Sequence, residues 1–235
     1  MLKNNVAVLC SKRAPGIEAL LPHLTCIITT HENAVLPAGV PVMHHPIRAY
    51  GDRRTYDAMT AHVLRELGVD TVLCLGYIYV LTDVMLNAFP NRIFNIHDSD
   101  LTLRHADGER KYVGLRSTRD AIVAGEPETR STLHLVTEKL DGGPILALSR
   151  AYPVAPFVHE AAAAGHTDIV KAYAYAQREW MMRDCWGKLG LSVVGGWRLA
   201  VGGRDESRVI PLNDQPLPFA TSSTANRQPP TANLS

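Results

Sequence analysis

Between residues 6 and 97, short apolar runs alternate with stretches of helical periodicity, and this alternation narrows the possible folds more than any other feature of the chain. Val6–Cys10 and residues 26–30 and 40–44 read as strands, and residues 71–76 form a continuous apolar run. Such a run shows no inward–outward alternation, so it suits a parallel strand covered on both faces. Tyr56, Met59, Val63 and Leu67 recur at helical spacing over residues 53–67, and Gly68 follows as a C-terminal cap. A short helix over 82–88 leads through Pro90 to a further strand at 92–97. Strand, helix and strand in succession predict an α/β fold with a doubly wound, mostly parallel sheet.

The second half changes character. Residues 98–114 are polar and charge-rich and read as a mobile loop. A short helix over 117–124 precedes strands at 132–136 and 145–154, which flank a turn-forming segment at 137–144 and add an antiparallel extension to the sheet. A long C-terminal helix is expected over 167–189, with Ile169, Tyr173, Ala176 and Trp180 on one face. Residues 1–212 are read as one domain, and the Pro-, Ser-, Thr- and Asn-rich stretch 213–235 as a disordered tail. No internal repeat is visible.

Charge excludes some partners. Twenty-four Lys and Arg against 23 Asp and Glu leave a net charge of +1, which argues against a nucleic acid or a membrane surface held by electrostatics. Cys10, Cys26, Cys74 and Cys185 are far apart and form no CxxC pair, so a reduced compartment without structural zinc is expected. His44-His45-Pro46 has no third ligand at a metal spacing and reads as a strand end; no metal is expected. The apolar run after Asn5 is too short for a signal-peptide core, and the expected location is the cytoplasm. Oligomeric state is left open.

Two segments carry chemistry. In Phe94-Asn95-Ile96-His97, at the end of a strand, alternation puts Asn95 and His97 on the same face. A carboxamide and an imidazole then lie side by side at the carboxyl edge of the sheet, where open α/β folds bind ligands. In Leu140-Asp141-Gly142-Gly143-Pro144, the Gly-Gly-Pro turn can hold Asp141 in a fixed position. Taken singly, Asn95 could form a turn, His97 could be a satisfied histidine, and Asp141 could simply begin the turn.

Together these residues resemble the folate-dependent formyltransferase family, most of all the glycinamide ribonucleotide formyltransferases of purine synthesis. That family carries Asn-x-His at a strand end and an Asp in a Leu-Asp-x-Gly-Pro loop, matched here by Asn95, His97 and Asp141. The resemblance runs from about Val6 to Ala200. It includes Arg53-Arg54-Thr55-Tyr56-Asp57, Gly76-Tyr77-Ile78-Tyr79-Val80-Leu81-Thr82 and Tyr112-Val113-Gly114. It implies a Rossmann-like sheet of the formyltransferase type, 10-formyltetrahydrofolate as co-substrate, and a small-molecule primary amine, expected to be phosphorylated, as acceptor. It further implies that Ile78, Tyr79, Val80 and Leu81, with Thr137, Glu138, Lys139 and Leu140, line the pterin pocket. Asn95 and protonated His97 would stabilise the oxyanion formed when the amine attacks, and Asp141 would favour the imidazolium. His134 matches a family histidine near the folate; a core role and direct contact both remain open.

The acceptor side departs from the pattern. The relatives' Gly-x-Gly-Ser-Asn phosphate loop is replaced by Ser11-Lys12-Arg13-Ala14-Pro15-Gly16. Pro15 cannot donate an N–H to an anion. Ser11, Lys12 and Arg13, with Arg53, are the candidates for binding the acceptor's phosphate, although Lys12 and Arg13 could equally be a solvated pair. Glu179 corresponds to a glutamate that holds the ribose. Arg116 stands where the relatives have a histidine, and the loop after His97 is longer than theirs. Glycinamide ribonucleotide is the first expected acceptor. Another amine, a folate hydrolase and a non-catalytic folate- or nucleotide-binding module are the rivals.

Overall fold

The computed structural model describes residues 5–194 and the backbone of residues 210–211. The expected tail at 213–235, the domain limit at residue 212 and the end of the family resemblance near residue 200 lie outside the described residues.

The apolar runs form the sheet. Strands β1 (Val6–Cys10), β2 (Leu24–Thr29), β3 (Val42–His44), β4 (Thr71–Cys74) and β5 (Ile93–His97) are all parallel. They are followed by β6 (Glu128–Thr129), β7 (Thr132–Leu135), β8 (Ile145–Leu148), β9 (Tyr152–Pro153) and β10 (Ile210–Pro211). The main sheet has the order β10-β8-β7-β5-β4-β1-β2-β3, and β7 runs antiparallel to both β5 and β8. β6 and β9 form a separate two-stranded ribbon, because the single strand expected over 145–154 breaks after Leu148.

Helices cover both faces. Val8, Cys10, Leu73, Phe94 and Ile96 face α5 (Thr167–Val194), packing with Met181, Cys185, Trp186 and Leu189. Ala7, Leu9, Val72, Cys74 and Ile93 point the other way, toward α1 (Arg53–Glu66) and α2 (Asp83–Ala88). Two buried faces explain why these strands are apolar at every position. α1 starts where the Asp52 carboxylate accepts from the Thr55 N–H at 2.9 Å. α3 (Ser117–Val123) and α4 (Pro156–Ala163) pack with the start of α5 around Val158, Val170 and Ala174.

The buried face of α5 differs from the expected one. Val170, Ala174, Gln177, Met181, Cys185 and Leu189 point inward, while Ile169 and Trp180 are exposed. The true stripe lies one residue further along, because Gln177 belongs to it: its amide donates to the Thr129 hydroxyl and the Tyr152 carbonyl. A polar residue with internal partners can occupy a core position that an apolar-periodicity reading passes over.

All four cysteines are reduced and buried. Burial pushes the Cys10 and Cys26 thiols up to about 11 and Cys74 to about 12, and it raises Cys185 as well. The native protein is therefore expected to react with a thiol reagent such as dithionitrobenzoate at none of them at pH 8. All four should titrate once the chain is unfolded in guanidinium, and fast labelling of any native thiol would contradict the packing.

Candidate active site

Strand order reverses between β1 and β4, and ligands of open α/β sheets bind at the carboxyl ends of strands near such a point. Here the loops after the two strands meet: the Ser11 N–H donates to the Gly76 carbonyl at 3.2 Å, and the Ser11 hydroxyl accepts from the Ile78 N–H at 3.2 Å. Next to this junction lies a cavity of about 500 Å³, lined by residues 76–81, Asn95–Asp98, Gly114–Arg116, His134, Thr137, Lys139–Asp141, Arg178 and Trp186, among others.

Asn95 and His97 share a face of β5, and His134, directly opposite Asn95 on β7, joins them. The Asn95 amide lies 3.1 Å from His134 Nε2, and His134 Nδ1 lies 2.9 Å from the Leu135 carbonyl. A carbonyl can only accept, so Nδ1 of His134 carries a proton, and Nε2 faces both the Asn95 amide and the Asp141 carboxylate. His97 Nε2 likewise donates to the Tyr112 carbonyl at 3.0 Å, which turns Nδ1 toward Asp141.

Asp141 reaches this group because the 137–144 turn folds back over the sheet. Its carboxylate lies 3.6 Å from His97 Nδ1 and 3.6 Å from His134 Nε2, and accepts the Gly114 N–H at 2.8 Å. Asp141 itself is left-handed at φ 47°, a region that Asp tolerates better than most residues. The next tight point is Gly143, where an added Cβ would lie 1.9 Å from the Leu135 carbonyl oxygen. The Arg110 guanidinium ties the turn from outside by donating to the Asp141 and Gly143 carbonyls.

Burial by itself would raise the Asp141 carboxyl. The His134 contact, the His97 charge and the Gly114 N–H outweigh it and hold the group down at about 2. The carboxylate is thus ionised throughout the physiological range.

The loop at 98–114 is fixed by specific bonds, in contrast to the mobile segment expected. The Asp98 carboxylate accepts from the Ser117 hydroxyl at 2.8 Å and pairs with Arg178 on α5. The Ser99 hydroxyl donates to the Tyr112 carbonyl at 2.6 Å, and the backbones of Arg104 and Arg110 pair as an antiparallel bridge across the loop. Buried polar partners, invisible in composition, order the segment.

The structure brings most of the expected residues together and leaves some apart. Asn95, His97, Asp141, Ile78–Leu81, Thr137, Lys139 and Leu140 all line the cavity, whereas Glu138 is exposed outside it. Ser11, Lys12, Arg13, Arg53 and Glu179 do not line it. Arg13 forms a two-pronged ion pair with Glu179. Arg53 donates to Asp57, to the Tyr77 hydroxyl and to the Val80 carbonyl, and so braces the 77–81 loop from behind. Gly16 explains the position of the first loop. An added Cβ there would lie 2.5 Å from the Gly187 nitrogen, so the loop rests against the α5 backbone at φ 76°. Arg178 and Trp186 were not foreseen, because only the true orientation of α5 turns them toward the cavity. His45 sits between Tyr50 and Tyr56 with Nδ1 3.2 Å from the Thr60 hydroxyl. Among the described residues no group of three or more His, Cys, Asp or Glu could hold a metal ion, and no helix is long and apolar enough to cross a membrane.

The formyl transferase family model matches residues 4–164. The phosphoribosylglycinamide formyltransferase of Haemophilus influenzae is 27% identical over 165 residues, 64% of this chain and 74% of that protein. The enzyme of the same name from Escherichia coli is 32% identical over 98 residues, 42% of each chain. The match therefore spans less than half of the Escherichia coli enzyme. A formyltetrahydrofolate deformylase of Bacillus subtilis is 30% identical over 129 residues, 54% of this chain and 40% of that protein. Among solved structures, glycinamide ribonucleotide transformylase 1 of Symbiobacterium toebii superposes with a TM-score of 0.57 at 28% identity, covering 76% of this chain and 85% of that one.

The chain belongs to the formyl transferase family.

Its sheet is the mostly parallel, Rossmann-like one that the family resemblance implied, with the antiparallel pair β7–β8 and the long helix α5.

A depressed Asp141 has a consequence for stability. A carboxyl at about 2 when folded and 3.8 when free stabilises the fold fully above pH 4, and that contribution is lost as pH falls through 2. Denaturant titrations of wild type and Asp141→Asn should differ by roughly 2 kcal/mol at pH 5, and the gap should close toward pH 2. A difference that does not change with pH would show that the carboxylate's charge is not what matters.

Proposed function

We propose that this chain transfers a formyl group from 10-formyltetrahydrofolate to a primary amine, in the cytoplasm, with glycinamide ribonucleotide as the first acceptor. The observation that carries the reading is the cluster of Asn95, His97, His134 and the ionised Asp141 inside one cavity beside exposed apolar side chains. Ile78 is 50% exposed, Val80 60%, Leu115 72% and Leu140 51%, all lining the cavity, and solvent-facing apolar groups of this kind mark a ligand site. The pterin is assigned to the part of the cavity lined by Ile78–Leu81, Thr137, Lys139 and Leu140.

When bound, the folate supplies an electrophilic formyl carbon. The chain's own groups supply the rest. His134 can engage at most one of the two Asn95 amide hydrogens, which leaves the other available to an oxyanion. His97 Nδ1 faces the Asp141 carboxylate, and this ring is the group placed to hold or pass on the amine's proton. At 3.6 Å the two are beyond hydrogen-bond contact, so proton exchange between them needs a small approach of the kind that ligand binding commonly brings about. Donation to the Tyr112 carbonyl fixes the His97 ring for that approach.

A second reading, a primary amine other than glycinamide ribonucleotide, such as a nucleotide-linked amino sugar or a hydroxylated amino acid, is favoured by the Arg13–Glu179 pair. That pair uses up the two charges expected to bind the phosphate and the ribose. Hydrolysis of the formyl group is distinguished by measuring folate product without an amine. A binding module with no chemistry would have no use for the proton-transfer set.

His97→Ala and Asp141→Asn should each fold and still bind folate, yet lose at least roughly 10² in turnover with any accepted amine. A saturating folate analogue should raise the melting temperature of wild type by mass action. Near-normal turnover in either variant would remove the mechanism, and the absence of any folate-dependent shift would remove the donor.

A further inference from the structure

The cavity is lined by two guanidinium groups that keep donors which neither the fold nor the proton-transfer set engages. Arg116, the residue before α3, lines the cavity, and its exposed side chain has no hydrogen-bond or ion-pair partner among the described residues. Arg178, on α5, lines the same cavity and is held through Nε by Asp98, which leaves both of its Nη groups without a protein partner. Asp98 itself is buried and anchored by Ser117, the neighbour of Arg116. One carboxylate therefore fixes Arg178 beside the segment that carries Arg116, one residue along the chain from His97.

The cations nearer the first loop are committed elsewhere. Arg13 is neutralised by Glu179, and Arg53 is bonded to Asp57 and the 77–81 loop. Neither lines the cavity. Within the cavity Lys139 is paired with Glu109 and Arg178 with Asp98, so Arg116 is the cation left without a counter-charge among the described residues. A guanidinium fork matches the geometry of carboxylate and phosphate oxygens.

We propose that the amine acceptor carries an oxyanion, carboxylate or phosphate, and that Arg116 and Arg178 bind it while Asp98 acts as the positioning residue for Arg178. This rests on the formyl-transfer reading above. It moves recognition of the acceptor from the first loop to the wall formed by α3 and α5. The anion would anchor the acceptor in the same cavity that holds His97 and the 78–81 segment.

The test has a binding arm and a kinetic arm, both on the full chain. Calorimetry with inorganic phosphate and with acetate should give heat in wild type, weakened at least about tenfold in Arg116→Met and in Arg178→Met. Asp98→Asn should weaken it less and should be rescued in part by low salt, because the loosened guanidinium still attracts the anion. Folate affinity should stay unchanged in Arg116→Met, which also serves as the check on folding. In the kinetic arm, 10-formyltetrahydrofolate is offered with glycinamide ribonucleotide, with its phosphate-free riboside, with glycine and with ethylamine. A preference for the ribonucleotide over the riboside identifies a phosphate, and a preference for glycine over ethylamine a carboxylate. Either preference should disappear in Arg116→Met through a raised KM. The proposal is overturned if neither anion binds wild type, if Arg116→Met binds as wild type does, or if uncharged amines are formylated as efficiently. Arginine-dependent anion binding without formylation of any amine would keep the subsite and overturn formyl transfer instead.

Discussion

A single buried carboxylate ties the site together. Asp141 loses most of its hydration, a cost that only close charge and hydrogen-bond partners can offset. Those partners come from three separate segments: His97 on β5, His134 on β7 and the Gly114 N–H at the end of the loop that follows β5. The 137–144 turn can deliver the carboxylate only by passing within contact of the Leu135 carbonyl, and this is why Gly143 has no side chain. Each segment is thus fixed by a demand made at one atom group. If that charge were lost, the turn, the loop and the histidine ring would lose a shared partner together.

This dependence explains what could be read from sequence. Asn95, His97 and Asp141 were legible because each sits in a local pattern, a strand end for the first two and a Gly-Gly-Pro turn for the third, that matches a formyltransferase motif. The parallel strands were legible for a similar reason, since burial on both faces leaves an unbroken apolar run. Arg178 was not legible. It reaches the cavity because α5 presents a stripe containing Gln177, whose partners Thr129 and Tyr152 lie far away in the chain. The ordering of residues 98–114 was hidden in the same way, since Asp98 finds its partners at Ser117 and Arg178. Signals that depend on one element were visible, and those that depend on the meeting of two were not.

The first loop shows how packing can redirect a functional segment. Gly16 and Gly187 bring two backbones into contact, and Arg13 is then placed to pair with Glu179 on the same helix. The pair binds the loop to α5 through part-buried charges at two points of contact, a better geometry than an exposed lysine pair could offer. A loop so engaged presents few free donors. Pro15 removes a further backbone N–H, so the segment is better suited to holding the helix than to cradling an anion.

The two halves of the cavity therefore follow different physical rules. On the folate side, recognition would rest on exposed apolar side chains and on backbone groups of the 77–81 and 137–144 loops, which are set by chain path rather than by side-chain identity. Substitution there is tolerated as long as the path is kept, and Arg53 and Arg110 keep it by donating to Val80, Asp141 and Gly143 carbonyls from outside the cavity. On the wall lined by Arg116 and Arg178, the polar groups are side-chain charges just before α3 and on α5, and Asp98 pairs with Arg178 while accepting from Ser117 beside Arg116. Charges can be exchanged by single substitutions without moving the backbone. A family that keeps its donor while changing its acceptor would be expected to vary on that wall, and there this chain carries Asp98, Arg116 and Arg178.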